Sequence, residues 1–216
     1  MQNQDIILKT KKLKRRVALG AMYSVLRRKN NDTLMGEMNF SHRKAVIEGF
    51  EKFWGVPTQK LKLTELLLGH NKEYEPMLEL LHWFVNEGHR KGDHSPESVA
   101  WDVGRYVDVL RDAFYVGYIN KETAFKHLRI AYNISIGHFR SWKEYGTAFL
   151  AYKRFWDGRN MEELALNLKH HSGKAYTTEE VYEIYKEEGN TPITWLEEAI
   201  TTLLHNKSSI WNQVGW

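Results

Sequence analysis

Cysteine is absent from this 216-residue chain, and proline occurs only four times. Without cysteine there can be no disulfide, no thiolate metal site and no cysteine nucleophile, which is typical of a reducing compartment. Apolar runs are also short, since none approaches the roughly 18 residues that a membrane-spanning helix needs. We therefore expect a cytoplasmic protein with no membrane partner.

The motifs of common catalytic and cofactor sites are missing as well. The sequence has no G-x-G-x-x-G or G-x-x-x-x-G-K-[ST] phosphate loop, no H-E-x-x-H zinc motif and no G-x-S-x-G nucleophile turn. Histidines at 82, 89 and 94, and the adjacent pair at 170 and 171, do not have the i, i+4 spacing of a helical zinc site. We expect no metal, no cofactor and no enzymatic activity.

Material for a folded core is plentiful. Hydrophobic residues make up 42% of the chain and aromatic residues 13%, while charged residues stand at 27%. Apolar positions recur at intervals of three and four, which favours helices over strands. Since we find neither an internal repeat nor a linker-like segment, the sequence predicts one all-α domain over residues 1–216, a compact array of roughly eight to ten helices.

Capping signals place several of these helices. Ser95-Pro96-Glu97 marks a start, because serine caps the helix and proline at its first position loses no hydrogen bond. Ser141 with Glu144 has the spacing of a capping box. We also predict one continuous helix over about 5–28, a helix that ends at Gly158, a separate helix over about 161–170, and another over 178–188.

Charge is distributed unevenly along the chain. Nine of the first 30 residues are Lys or Arg and one is acidic, whereas residues 175–200 contain seven Glu and one Lys. The basic helix suits a solvated surface, an acidic partner or nucleic acid, and these three interpretations remain open. The acidic segment is predicted to bind a partner through these residues: Glu179, Glu180, Tyr182, Glu183, Tyr185 and Glu187.

Trp101-Asp102-Val103-Gly104-Arg105 is the most unusual local pattern. Asp102 and Arg105 are spaced i, i+3, and Asp108 continues the alternation of charge one turn later. The preferred interpretation is a structural ion-pair network formed by Asp102, Arg105 and Asp108 that orients the helix. A site for an anion or a partner is the alternative.

Aromatic residues between 139 and 156 have mostly core spacing, and any member that is exposed becomes a candidate contact for a partner. Two further tryptophans lie between Ser208 and Trp216. We predict that this C-terminal tail packs on the body of the protein.

Residues 54–158 resemble an uncharacterised bacterial family of all-helical domains. The resemblance rests on W-D-x-G-R at 101–105 and S-W-x-E at 141–144, with further matches at Trp54-Gly55-Val56, Gly88-His89-Arg90, Gly117-Tyr118 and Phe155-Trp156-Asp157-Gly158. The basic first helix and the acidic C-terminal helices are expected to lie outside the family-like part. The resemblance implies a helical fold and no established activity, and it suggests toxin immunity as a role.

The leading hypothesis is therefore an immunity protein that binds a cognate polymorphic or contact-dependent growth inhibition toxin in the cytosol. The toxin is expected to be a nuclease, because a basic substrate cleft is complementary to a surface rich in glutamate. Two alternatives belong to other classes. One is a nucleic-acid-associated protein that uses residues 9–29, although nucleic acid is the less favoured partner. The other is an enzyme of unrecognised type centred on Asp102, Arg105 and Glu144.

Overall fold

The helix that organises the fold is α5, which contacts five other helices. In this computed structural model, the residues described are 11–26, 40–57, 73–86, 95–187 and 193–216, and all their regular secondary structure is helical. The helices are α1 Lys11–Ala18, α2 Ala21–Leu26, α3 Phe40–Trp54, α4 Glu75–Asn86, α5 Pro96–Val116, α6 Lys121–His138, α7 Trp142–Ser172, α8 Thr178–Glu187, α9 Ile193–His205 and α10 Ile210–Val214. The all-α prediction is confirmed.

Both ends of α5 follow from local sequence. The Ser95 side chain accepts a hydrogen bond from the Ser98 N–H, and Pro96 occupies the first turn, as predicted. At the other end Gly117 has φ of 84°, a conformation that costs glycine nothing, and its N–H bonds to carbonyls of the last turn. Between these caps α5 packs against α2, α3, α4, α6 and α7, so most of its surface is covered.

The apolar face predicted for α5 forms the centre of the core. Its members are all buried: Val99, Val103, Val107, Leu110 and Phe114. A charged residue, Arg111, is fully buried on the same helix, and it interacts within the protein. Burial on nearly every side makes α5 a rigid support for any side chain that it presents at an opening.

The N-terminal helix is interrupted, contrary to the prediction of one helix over 5–28. Within the described residues α1 ends at Ala18 and α2 begins at Ala21. A Cβ atom on Gly20 would lie 3.0 Å from Val107 Cγ1, so the chain turns where its backbone comes close to α5. The break therefore coincides with a close approach of the backbone to α5.

At Gly158 the sequence predicts a helix end that the structure does not have. The helix predicted to end there continues, and α7 runs without interruption from Trp142 to Ser172. The separate helix predicted over 161–170 is thus part of α7, and Glu162 and Glu163 lie in its middle. A glycine inside a helix costs only about 1 kcal/mol relative to alanine, which the packing of a 31-residue helix readily offsets.

The C-terminal tail packs on the body, as predicted. Trp211 is 1% exposed, donates its Nε1–H to the Ala18 carbonyl at 2.8 Å, and stacks on Trp142. Trp216 donates its Nε1–H to the Phe139 carbonyl at 2.9 Å. The last helix therefore joins α1 to the start of α7. No described helix is both long enough and apolar enough to cross a membrane.

Candidate functional site

Arg105 and Asp102 form the ion pair that their spacing predicts. The Arg105 guanidinium lies 3.9 Å from the Asp102 carboxylate, and its central carbon lies 4.7 Å from the ring of Trp54 and 5.6 Å from the ring of Trp101. The arginine is therefore held between two indoles as well as by a carboxylate. Asp108 is buried on the same face of α5, and it interacts within the protein.

Burial changes the acidity of Asp102. Desolvation raises the pKa of its carboxyl to about 6, and the nearby Arg105 opposes that shift without cancelling it. A carboxyl with this pKa is one requirement of the enzyme alternative. Glu144, the third residue of that alternative, is exposed and accepts a hydrogen bond from the Arg140 N–H at 2.7 Å at the start of α7.

A cavity of about 440 Å³ opens beside the Trp101–Arg105 segment. Its aromatic wall comes from several helices and consists of Tyr23, Phe50, Phe53, Trp54, Trp101, Trp156 and Tyr185. The charged groups that line it are Arg105, Asp108, Asp112 and Lys153. A mostly apolar cavity with a few charged groups is the usual form of a small-molecule or side-chain binding site.

Lys153 belongs to a buried polar cluster that the sequence analysis missed. Its ammonium bonds to Asp157 one turn later on α7, and both residues are buried. The Tyr185 hydroxyl donates to the same Asp157 oxygen at 2.9 Å. The i, i+4 spacing of Lys153 and Asp157 was a local signal of an ion pair, whereas nothing local connects either residue to Tyr185.

Tyr185, which is predicted to contact a partner, also makes contacts within the protein. It was assigned to partner binding, but it is 5% exposed and ties α8 to α7 through Asp157. Val181, one turn earlier, is buried as well. These two residues define the inner face of α8, and Tyr185 also lines the cavity.

Glu180 is also occupied within the protein. Its carboxylate accepts a hydrogen bond from the Thr177 N–H at 2.8 Å and pairs with Lys174 at 3.2 Å, while its own N–H bonds to the Thr177 hydroxyl. These bonds lower the pKa of the Glu180 carboxyl, the backbone hydrogen bond most of all. Glu180 is therefore the capping-box acid of α8, and its charge is partly balanced by Lys174.

The other residues predicted to bind a partner differ in their exposure to solvent. Glu179 and Glu183 are exposed, and Tyr182 is half-buried. Glu187 is the last residue of α8, and its side chain lies outside the described part of the chain. On a helix, positions 179 and 183 lie on the side opposite Val181 and Tyr185, so the outer face of α8 is acidic.

The basic N-terminal segment does not present all its charges to solvent. Arg15 donates to the Val214 carbonyl at 3.0 Å and to the Tyr132 hydroxyl at 3.3 Å, and Arg16 is 8% exposed. Two of the nine basic residues therefore support the packing of α1. Lys9, Arg27, Arg28 and Lys29 lie outside the described residues.

Two large aromatic residues at the cavity are exposed, Phe53 at 70% and Trp156 at 39%. Phe155 and Trp195 are exposed as well. Large aromatic side chains are the residues most often found as anchors in protein interfaces. Among the described residues, no group of three or more His, Asp and Glu side chains is arranged to hold a metal ion.

Comparison with curated proteins and with solved structures finds no match to this chain. A family model described as "Protein of unknown function (DUF1266)" matches residues 61–216. The match starts later than the predicted resemblance over 54–158 and extends to the end of the chain. The acidic C-terminal helices, predicted to lie outside the family domain, are thus inside it. Because this match covers well over half of the sequence, the chain belongs to the DUF1266 family.

Proposed function

We propose that this protein is an immunity protein that binds a cognate toxin domain in the cytosol and blocks its active site. The proposed toxin is a nuclease of a polymorphic or contact-dependent growth inhibition system. Inhibition of this kind needs a complementary surface and neither a cofactor nor a catalytic step by the inhibitor. The proposal therefore rests on surface chemistry.

The observation that carries the proposal is the acidic outer face of α8. Glu179 and Glu183 are exposed one turn apart, on the side of the helix opposite the buried Val181. A nuclease must attract phosphates, so its substrate cleft is basic. An inhibitor with outward carboxylates on a rigid helix can occupy that cleft, and the opposite charges also accelerate encounter.

Exposed aromatic residues near the cavity supply the apolar contacts that tight inhibition needs. Phe53 and Trp156 line the same opening as Tyr185, whose backbone belongs to α8. Carboxylates provide orientation and association rate, while buried aromatic anchors provide most of the affinity of a typical interface. The proposed contact surface is the outer face of α8 with Glu179, Tyr182 and Glu183, and Phe53 and Trp156, at the opening lined by the inner face of α8, are proposed as separate apolar contacts.

The test uses the polypeptide encoded by the gene immediately upstream. The two proteins are coexpressed with a tag on one of them, and the complex is analysed by size-exclusion chromatography and by inhibition of nuclease activity. We expect a stoichiometric complex and loss of toxin activity. An upstream product that neither binds nor harms cells would overturn the proposal.

Charge reversal distinguishes the α8 surface from general electrostatics. Glu179→Lys with Glu183→Lys should slow association about tenfold or more at low salt, since close charge pairs dominate steering. The matched control is Glu79→Lys with Glu122→Lys, two exposed glutamates on α4 and α6 and the same change in net charge. Equal slowing in both double variants would contradict the assignment of the interface to α8.

A further inference from the structure

Arg16 is a buried arginine for which the described part of the chain provides no counter-ion. Its side chain is 8% exposed, and its Nε is enclosed without a hydrogen-bond partner. Among the described residues, none forms a hydrogen bond or an ion pair with its guanidinium. Because a charge that is removed from water normally has an opposite charge beside it, an anion from outside the chain would complete this group.

The charged groups beside Arg16 are other arginines. Burial lowers the pKa of Arg16 and the neighbouring Arg129 lowers it further, while the Tyr132 phenol acts in the opposite direction. Arg15 donates hydrogen bonds to the Tyr132 hydroxyl and to the Val214 carbonyl, which are both uncharged. These contacts leave the positive charge of Arg15 in place, so the region has an excess of positive charge.

Tyr132 brings these arginines to one small region, where α1 packs against α6. Arg129 and Tyr132 are spaced i, i+3 and therefore project from the same side of α6. Arg15 reaches the Tyr132 hydroxyl at 3.3 Å, and Arg16 follows Arg15 in the last turn of α1. Since Arg129 is exposed and Tyr132 is half-buried, a solute can reach the region from solvent.

Hydrogen-bond donors remain available in this region. The terminal nitrogens of Arg16 are not enclosed as its Nε is, so its remaining exposed surface can receive an acceptor. The Tyr132 hydroxyl accepts a hydrogen bond from Arg15, which leaves its own hydrogen to be donated. Lys12 is exposed one turn before Arg16 on α1 and adds an ammonium at the edge.

We propose that this region, formed by Arg16, Arg129 and Tyr132, binds a phosphate monoester group. Two phosphate oxygens accept hydrogen bonds from the two guanidinium groups, and the third accepts one from the Tyr132 hydroxyl. A phosphate monoester carries a charge of about −1.5 to −2 at neutral pH and three terminal oxygens, so one group can balance more than one arginine.

Other anions match the region less well. A carboxylate has one charge and two oxygens, so it pairs with one guanidinium and leaves the next one unbalanced. A phosphate diester, the form found in nucleic acids, also carries a single charge. A nucleic-acid backbone is moreover bound by cations that follow a groove, whereas these arginines are gathered at one point of α1 and α6.

NMR titration of the isotope-labelled full chain with three probes tests the proposal. The probes are methyl phosphate, dimethyl phosphate and acetate, and the arginine Nε–H signals report on binding. We expect methyl phosphate to shift the Arg16 signal and to bind at least about tenfold more tightly than the other two, because each lost charge-assisted hydrogen bond weakens binding by about that factor. Equal affinity of the three probes, or no binding of methyl phosphate, overturns the proposal.

Arg129→Gln locates the binding without disturbing the core, since Arg129 is exposed. The affinity for methyl phosphate should fall about tenfold or more. Arg159→Gln is the matched control, because Arg159 is an exposed arginine on α7 and the change in net charge is the same. If both variants weaken binding equally, the effect is that of net charge and the assignment of the site is wrong.

Arg16→Met gives a second measurement that does not depend on a ligand. Methionine retains an apolar chain and removes the buried charge, so we expect no binding of methyl phosphate and no loss of thermal stability in its absence. Marked destabilisation without phosphate would mean that Arg16 has its partner within the protein, which contradicts the proposal. The inference is independent of toxin binding, because a chain that binds methyl phosphate but no toxin, or the converse, separates the two proposals.

Discussion

Two glycines on neighbouring helices show how one residue type can have opposite effects. A Cβ on Gly104 would lie 2.9 Å from Phe149 Cε2 and 3.2 Å from the Tyr145 hydroxyl, whereas a Cβ on Gly158 would have no atom within 4 Å. The absence of a side chain at Gly104 thus allows α5 and α7 to approach closely. At Gly158 it serves no packing purpose.

Alanine substitutions should therefore change stability in opposite directions. We expect Gly104→Ala to lower the free energy of unfolding by about 1–3 kcal/mol through overpacking. Gly158→Ala should raise it by about 0.5–1 kcal/mol, because alanine is the better helix former. Urea denaturation followed by far-UV circular dichroism measures both. A stabilised Gly104→Ala protein would mean that α5 and α7 are not in close contact at this point.

The raised pKa of Asp102 makes its contribution depend on pH. With an ordinary pKa of 3.8 and a folded value of about 6, the folded protein holds this proton more tightly than the unfolded chain does. The contribution of Asp102 to the free energy of unfolding is therefore fully present below pH 3.8 and is lost as the pH rises through about 6.

Asp102→Asn removes that titration. The free energy of unfolding of the variant, relative to the original protein, should rise between pH 4 and pH 7, by at most about 3 kcal/mol for a shift of this size. The shift to about 6 already includes the opposing charge of Arg105, so the loss of that ion pair is not counted a second time. Denaturation curves at both pH values measure the free energy of unfolding of each protein. If the difference between the variant and the original protein does not vary with pH, burial does not raise the pKa of the Asp102 carboxyl.

At the scale of helices, the sequence predicts starts better than breaks. Ser95, Asn120 and Ser141 each cap a helix through their own side chains, and each signal lies within four residues of the bond that it makes. Gly20 and Gly158 look alike in the sequence, yet only the first coincides with a break. Gly20 lies against Val107 of α5, a contact that the residues next to it in the sequence do not indicate.

In the candidate site, too, features that depend on one helix are predicted from the sequence, whereas features that join several helices are not. The ion pair of Asp102 with Arg105 and the acidic character of α8 depend on spacing along one helix and were predicted from it. The cavity was not, since it gathers residues from Tyr23 to Leu196. Nor does any local pattern indicate the bond from the Tyr185 hydroxyl to Asp157, 28 residues earlier. Sequence patterns identify faces of helices, but only the fold shows which faces meet.

For the molecule as a whole, the two ends of the described chain are held together. The Trp211 indole bonds to Ala18, 193 residues away, and Arg15 bonds to the Val214 carbonyl. These contacts join α1 to α10, and α2 in turn packs on α5 and α9. Since contacts between remote parts of a chain raise cooperativity, loss of the tail should affect the N-terminal helices first.

Trp211→Ala tests this cooperativity. Removing a large, fully buried side chain should lower the free energy of unfolding by about 3–5 kcal/mol, and amide hydrogen exchange should accelerate in α1 and α2 more than in α5. Trp195→Ala is the matched control, because Trp195 is 56% exposed and its loss should change stability by no more than about 0.5 kcal/mol. If exchange in the Trp211 variant accelerates uniformly along the chain, the tail stabilises the core in general and does not specifically fasten the N-terminal helices.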